Sequence, residues 1–533
     1  MVEKSLPQRL KIAGLRLPVT DAPALLEALA FALDVPVEQI SSVRILRRSL
    51  DARQRTLHYE YSVAADVVLN RDELARVLSS DPKVSLYEDV VLPPAEPRLS
   101  LQQRPIVVGA GPAGLFAALG LAERGCPPLV IERGGQIPDR IEAVQDFWKN
   151  GELKSESNVV FGEGGAGAFS DGKLTARGTS PFKQRVLEEL VACGADEEIA
   201  YDSRPHMGTD RLRRVIPALV ERLRKRGVEF QFNSRMDDIT VEQGRLQGIQ
   251  TVDGRVETGL LVVAVGHSAR DTVRMLSNRG MCLQPKGFAV GVRIEHPQAL
   301  IDRIMHREAQ TSGLAGAAEY SVKYADKVSG RGVYSFCMCP GGLVIGCSSQ
   351  AGTLCVNGMS FSNRGGARAN AALVVTVSPD DVIAENVLSG IELQERIEQQ
   401  AYAAGSHPFF APVQSAADFI SGRVSSDQSF TDISFQPGVT SVDLAGILPD
   451  FIVEPLRRAL HVFDKKIPGF IEQGVLVGVE TRTSSPVRML RDPDTFQSVA
   501  IAGLVPVGEG AGYAGGIVSS AVDGLRAAWT ISC

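Results

Sequence analysis

Six side chains stand where chemistry is possible, beside glycine turns or inside short apolar runs: His206, His267, Cys337, Cys339, Glu480 and Arg482. His206 lies in RPHMGTD and His267 in VGHSAR. An imidazole titrates near neutrality, so each is either a proton-transfer group or a hydrogen-bonded structural residue. Cys337 and Cys339, in YSFCMCPGG, are two apart on an expected strand, which turns both side chains to one face. A bond between them would be strained and readily reduced. The pair therefore reads as a redox-active dithiol or as two small apolar fillers. Pro340, Gly341 and Gly342 are expected to turn the chain beside it. Arg482, in ETRTSSP, and Arg270 suit an anionic group or a surface ion pair. Glu480 is a further acid–base candidate.

The elements that must hold these groups begin at Pro105. Pro105–Val108 reads as a short buried strand, and Gly109, Gly111 and Gly114 follow at G-x-G-x-x-G spacing. A helical pattern runs over Leu115–Arg124, and a second apolar run, LVI, ends in Glu132 and Arg133. Strand, glycine turn, helix, strand and acidic residue make up a dinucleotide fingerprint. Gly109 allows the tight turn, Gly111 lets backbone approach a pyrophosphate, and Gly114 lets helix and strand pack closely. Pro112 and Ala113 open a helix whose N-terminus favours phosphate charge. Glu132 is suited to accept a ribose hydroxyl.

A second G-x-G-x-x-G match, Gly162, Gly164 and Gly167, lies in NVVFGEGGAGAFSDGKL. A turn follows it instead of a helix, and no acidic strand end stands at the right distance. Gly164, Gly165, Gly167 and Ser170 are therefore expected in a loop where backbone nears a cofactor ring or phosphate. LLVVAVGHSAR carries a buried strand to Gly266, another expected cofactor contact.

The 533 residues have room for several domains. Apolar residues make up 44% and charged ones 22%, the composition of an ordinary globular chain. A net charge of −6 argues against wholesale binding to nucleic acid or to an anionic membrane. No apolar run is long enough for a membrane helix, and Met1–Arg9 shows no signal-peptide core. The eight cysteines form no disulfide-scaffold pattern, which predicts a reducing, cytoplasmic setting. Without C-x-x-C or H-x-x-x-H spacing, no metal site is expected.

Residues 1–95 are expected to form a ferredoxin-like α+β domain in the order β-α-β-β-α-β. Its strands fall at Leu10–Leu17, Ser42–Ser49, Leu57–Val68 and Lys83–Val91, its helices at Ala22–Leu33 and Asn70–Ser79. Arg44, Arg47, Arg48, Arg53 and Arg55 form a basic patch there, either a solvated face or a surface for nucleic acid or a partner. The interleaved aromatics of an RNA-reading sheet are missing. Pro93, Pro94 and Pro97 mark a linker. Residues 100–285 read as the first part of the nucleotide-binding domain, with a polar joint at Trp148–Leu153 and an amphipathic helix at Arg211–Arg226. Residues 286–435 read as an inserted, strand-rich cap over the substrate. Residues 436–533 are expected to return to the nucleotide-binding domain.

Two stretches together narrow the cofactor. IVVGAGPAG with Glu132 resembles the FAD fingerprint of large flavoproteins, and VPVGEGAGYAGGIVSSAVDGLRAA resembles their second FAD motif. On that resemblance Gly508 and Glu509 hold ribityl or phosphate groups. Gly515, Gly516 and Ile517 then approach the isoalloxazine edge at a helix start. SVRILRRSLDAR, GGAGAFSDGKL, RPHMGTD, AVGHSARDT, FAVGVRIEHPQ, NGMSFSNR and ETRTSSPVR resemble a bacterial family of FAD-dependent dehydrogenases of unassigned substrate. The resemblance implies an α/β protein: a Rossmann-like FAD domain, an inserted antiparallel β-rich α+β domain and a ferredoxin-like N-terminal domain. Glu509 stands where the wider flavoprotein pattern has Asp, and Val265 where it has Thr. No complete second fold for NAD(P)H is present. The expected function is an oxidoreductase passing hydride through noncovalent FAD to or from a small molecule. NAD(P)H is a candidate reductant that must bind in another manner. A nucleic-acid-modifying flavoprotein and a non-catalytic flavoprotein are the alternatives.

Overall fold

A computed structural model describes residues 6–19, 24–51, 58–89, 91–94, 101–176, 178, 180–306, 316–382, 386–426, 430 and 432–531. Its centre is a parallel sheet made of short β-branched runs. The strands lie in the order Leu504–Pro506, Leu261–Val263, Ile106–Val108, Leu129–Ile131, Glu229–Gln231. IVV, LVV and the VI of LVI are buried, as suits strands covered on both faces. This is a mixed α/β, Rossmann-like arrangement.

The helix Pro112–Glu123 is buried along its length from Ala113 to Leu121, because nearly all its side chains are apolar. The C-terminal helix Ile517–Thr530 lies against it, and glycines set the distance. A Cβ on Gly524 would stand 2.0 Å from the Ala113 carbonyl oxygen, and one on Gly120 2.8 Å from the Ala528 Cβ. This close packing brings the end of the chain to the first glycine turn.

A seven-stranded sheet forms the second layer. Its order is Lys323–Ala325, Gly332–Cys339, Arg368–Val377, Phe288–Pro297, Val475–Glu480, Ala411–Ser415, Val439–Ser441. The expected return to the nucleotide-binding domain at residue 436 is corrected. Val439–Ser441 and Val475–Glu480 are strands of this sheet, and Ile452, Leu456, Leu460 and Phe463 of the helix Asp450–Lys466 join its core. The inserted layer therefore runs to Glu480. The polar joint expected at Trp148 is also displaced. Trp148 lies inside the helix Ile137–Asn150 and donates to the Gly346 carbonyl at 3.0 Å; Gly151, left-handed at φ 72°, ends that helix.

The N-terminal unit has strands Leu6–Pro18, Ile40–Asp51, His58–Leu69 and Val84–Leu86, paired antiparallel in the order second, third, first, fourth. Asn70 caps the helix Arg71–Ser80 in a reciprocal box with Glu73. The last strand is shorter than the expected Lys83–Val91. Beyond Leu86, Tyr87 gives its N–H to the Arg9 carbonyl, and Asp89 takes up Arg9 and Arg44. Arg48 is not a free basic surface. Its guanidinium donates to Asp202 at 2.6 and 2.9 Å, and its backbone exchanges hydrogen bonds with Tyr201 and Ser203, both 2.8 Å. It ties this unit to the rest of the chain. Pro97, Arg53 and Arg55 lie outside the described residues. Among the described residues, no helix is long and apolar enough to cross a membrane.

Candidate active site

Where the parallel sheet faces the cap there is a cavity of about 470 Å³. One end is shaped by backbone. Gly109 is left-handed at φ 104°, and a Cβ there would stand 2.4 Å from the Ala264 carbonyl oxygen. A Cβ on Gly114 would come 1.8 Å from the Gly109 oxygen, so Gly114 packs the turn against its helix and does not line the cavity. Gly111 does line it, and the nearest atom to a Cβ there is the Gly165 Cα at 3.8 Å. The second glycine loop crosses the first at this point, with the Gly164 N–H donating to the Ala110 carbonyl at 2.8 Å. Gly164 itself faces Ile216, away from the cavity, whereas Gly165, Gly167 and Ser170 line it.

Glu132 is buried and already accepts three backbone N–H groups: Ala110 at 2.8 Å, and Gly134 and Gly162 at 2.9 Å. It lines the cavity, so a ribose hydroxyl there would share its remaining lone pairs. Arg133, also lining, lies 4.2 Å over the Phe161 ring and pairs with Glu156 and Asp271. Arg140 was not singled out from the sequence. Fully buried, it donates to the carbonyls of Asn158, Val159, Glu163 and Gly165 at 2.6–2.8 Å, pinning the second glycine loop.

The other end is shaped by side chains. Gly266 and His267 line it after the strand Leu261–Val263, with His267 Nδ1 3.1 Å from Glu509 Oε1. Gly515, Gly516 and Ile517 line it at the start of the C-terminal helix. Gly508 sits behind them, its N–H given to Asp523 at 2.8 Å. A Cβ on Gly508 would stand 2.7 Å from that of Ala113, so it joins the two motifs without facing the cavity.

The cap supplies Cys337, Asn357 and Glu480, and the chain just past it supplies Arg482. Arg482 is not free to take an anion. Its Nε and Nη2 donate to Glu398 at 3.0 and 2.8 Å, and its Nη1 to Ser268 and Ser349. Arg270 binds the same carboxylate at 2.8 and 2.9 Å, in place of a surface pair. The two cations hold Glu398 far below the usual carboxylate range against the effect of its burial. Burial pushes the Glu480 carboxyl up, although Arg293 donates to it at 2.9 Å.

Lys173, which sequence reasoning passed over inside GGAGAFSDGKL, is at the centre of this end. Its Nζ donates to Asp171 at 2.7 Å and to the Met338 carbonyl. Burial alone would raise Asp171, but Lys173 and Arg364 outweigh it and the carboxyl falls to about 2. A charged pair directly after a glycine loop was the available signal. Arg293 and Glu398 carry no such signal, because each sits in an ordinary strand or helix pattern.

Two candidates do not reach the cavity. His206 Nε2 donates to the Ser362 carbonyl at 3.2 Å, and burial together with Arg364 lowers its pKa. Cys339 is fully buried behind Cys337. Both were expected on one face, but the strand register breaks between Phe336 and Cys339, and Cys337 turns left-handed at φ 44°. The neighbouring Cys339 thiol and the charges of Lys173 and Arg293 hold the Cys337 thiol below the ordinary thiol range.

Residues 287–483 match the family described as FAD-dependent protein, C-terminal domain-like, and residues 9–66 match a domain of unknown function. An uncharacterized protein of Clostridium beijerinckii is 43% identical over 498 residues, 93% of each chain. The chain belongs to the same family as this Clostridium protein, and its residues 287–483 carry the FAD-dependent protein domain. A thiamine thiazole synthase of Aeropyrum pernix is 29% identical over 192 residues, 33% of this chain and 58% of that one. Among solved structures, L-amino acid deaminase from Proteus vulgaris is 14% identical, with 83% of this chain and 96% of that chain covered at a TM-score of 0.36. The residues fit the cofactor: a helix start and Gly111 leave open space where a diphosphate needs close backbone, and Glu132 stands beside it.

Proposed function

We propose that FAD lies along this cavity, adenosine at the Glu132 end and ring at the Lys173–Cys337 end, and that hydride passes there to or from a small molecule. The reading rests on one observation above the rest: both glycine motifs and the cap sheet line the same cavity. Bound flavin supplies the two-electron chemistry. The chain's residues bind, orient and move protons. The crossing glycine turns offer backbone N–H to phosphate. His267 and Glu509 share one proton position at 3.1 Å beside the ring end. Arg270, Glu398 and Arg482 lock the His267 loop to the cap through Ser268. A hollow of about 730 Å³ adjoins at Phe336, Thr483 and Gly515, and is the route we assign to substrate or to NAD(P)H.

We take the sequence from 1 to about 95 as a ferredoxin-like unit, its strand order being the one that fold uses. We also take the chain as three domains, with the cap inserted at 286. The test is the visible spectrum of the purified protein, then anaerobic addition of NADH, NADPH and a metabolite panel. A flavin band that bleaches with a reductant is expected. A colourless protein that gains no band with added FAD would sink the reading.

A further inference from the structure

We propose that Cys337 and Cys339 are a redox couple that exchanges an electron pair with the flavin. This rests on the reading that FAD occupies the cavity. The irregularity in the strand Gly332–Cys339 separates the two thiols in depth. Cys337 faces the cavity, half-buried, while Cys339 lies fully buried behind it. A bulge is a device for re-aiming one side chain, and here it aims a thiol at the ring end. The Cys339 thiol is turned back toward its neighbour: Sγ donates to the Cys337 carbonyl at 3.3 Å.

Charge completes the arrangement. Lys173 lines the cavity with its Nζ on the Met338 carbonyl, between the two cysteines in sequence. Arg293 donates to the Cys337 carbonyl at 3.0 Å and stands 3.8 Å from Cys339 Sγ. Asp171 and Glu480 are the anions nearby, each already paired with one of these cations. Two apolar fillers would have no use for a polar cavity wall and two cations. An attacking thiolate in front and a proton-bearing thiol behind fit this setting.

The step balances without an outside reagent. Cys337 as thiolate and Cys339 as thiol lose two electrons and close as a disulfide. Oxidised flavin gains both electrons and the Cys339 proton, becoming the reduced anion. One negative charge stands on each side. The reverse step opens the disulfide, and ring strain in a C-x-C bond favours it.

Anaerobic titration of the air-oxidised, FAD-loaded protein with dithionite tests this. About four reducing equivalents per FAD are expected, two for flavin and two for the couple. The count should fall to two in Cys337→Ser and in Cys339→Ser and stay at four in Cys347→Ser. The last variant matters because Cys347 and Cys355, buried away from the cavity, hold their sulfurs 3.1 Å apart. A native protein that takes up only two equivalents overturns the proposal, as does a Cys337→Ser variant that keeps four. A second readout needs no variant. The tryptic peptide 332–364 should be lighter by two hydrogens after air oxidation, with the link between Cys337 and Cys339; a link between Cys347 and Cys355 alone overturns the proposal. A native protein that binds no FAD instead defeats the cofactor reading.

Discussion

The two ends of the cavity are made by different means. At the Glu132 end the surface is backbone, and the side chains that matter, Glu132 and Arg140, act by binding backbone groups. At the Cys337 end the surface is side chains, drawn from segments near residues 173, 267, 337, 357, 480 and 509. At the first end an atom added at Gly109 or Gly114 would strike backbone, and one added at Gly111 would take the space a diphosphate needs. The second depends on charges that neutralise one another in a buried place. The first is thus a fixed mould for a constant group, and the second is where a reaction can be tuned.

The sharpest way to break this comparison is to add one side chain at the mould. Gly114→Val should remove the fold, since even a Cβ would stand 1.8 Å from the Gly109 oxygen. Gly111→Val should leave a normal melting transition and no bound flavin, because its Cβ meets nothing within 3.8 Å except the space a diphosphate would fill. Calorimetry and flavin absorbance separate the two. Flavin retained at native stoichiometry in Gly111→Val would mean that the mould is elsewhere.

The next effect belongs to the other end. Glu398 is the shared partner of two buried arginines, Arg270 and Arg482. Glu398→Ala should cost about 3–5 kcal/mol in a denaturant melt, because it leaves buried cations unpaired. A loss near the surface-pair range of about 0–1 kcal/mol would show that this end does not rest on paired charge.

The same contrast decides what could be read from the sequence. Gly109, Gly111, Gly114 and Glu132 announce themselves, because a backbone surface needs glycine at fixed spacing next to a strand and a helix. The pairing with Gly515–Ile517 followed from a second local pattern. The side-chain end has no such spacing. Arg293 is one residue of an alternating strand and Glu398 one of a helix; only the sheet order brings Arg293 to Glu480, and only the packing of the helix Ser389–Ala404 brings Glu398 to Arg482. Arg482 was legible as a residue and not as a role, since its partner lies 84 positions away. The cap boundary at 435 failed for a related reason: a β-rich layer closed by Val475–Glu480 shows no break in composition where the fold continues.

Titration sharpens the second end further. The Cys337 thiol is held below the ordinary thiol range by the neighbouring Cys339 and by two cations. Alkylation of Cys337 by iodoacetamide should therefore rise through a midpoint below that of an ordinary thiol. A group with a lowered folded value adds stability that is complete above its unfolded value and lost as pH falls through the folded one. The thiolate's contribution is thus full above the ordinary thiol range and fades as pH falls below it. Lys173→Met should move the alkylation midpoint upward, since one of the two cations is gone. A midpoint that stays put in that variant would assign the effect to Cys339 and Arg293.

The smallest effect should come from His206, which has the chemistry of a proton-transfer group but lies at neither end. Its ring bonds the Ser362 carbonyl, and its neighbour in the chain bridge is Lys173, whose cation is fixed by Asp171 and not by the imidazole. Burial lowers its pKa, so it is neutral at pH 7 and its loss removes no charge. His206→Phe should leave flavin content and the rate of flavin reduction within about twofold and lower stability by about 1 kcal/mol for one lost hydrogen bond. His267→Phe is its internal control, because that ring lines the cavity and shares a hydrogen bond with Glu509. A tenfold slower flavin reduction in His206→Phe, with the His267 variant unaffected, would invert the assignment and place the reaction on the far side of Lys173.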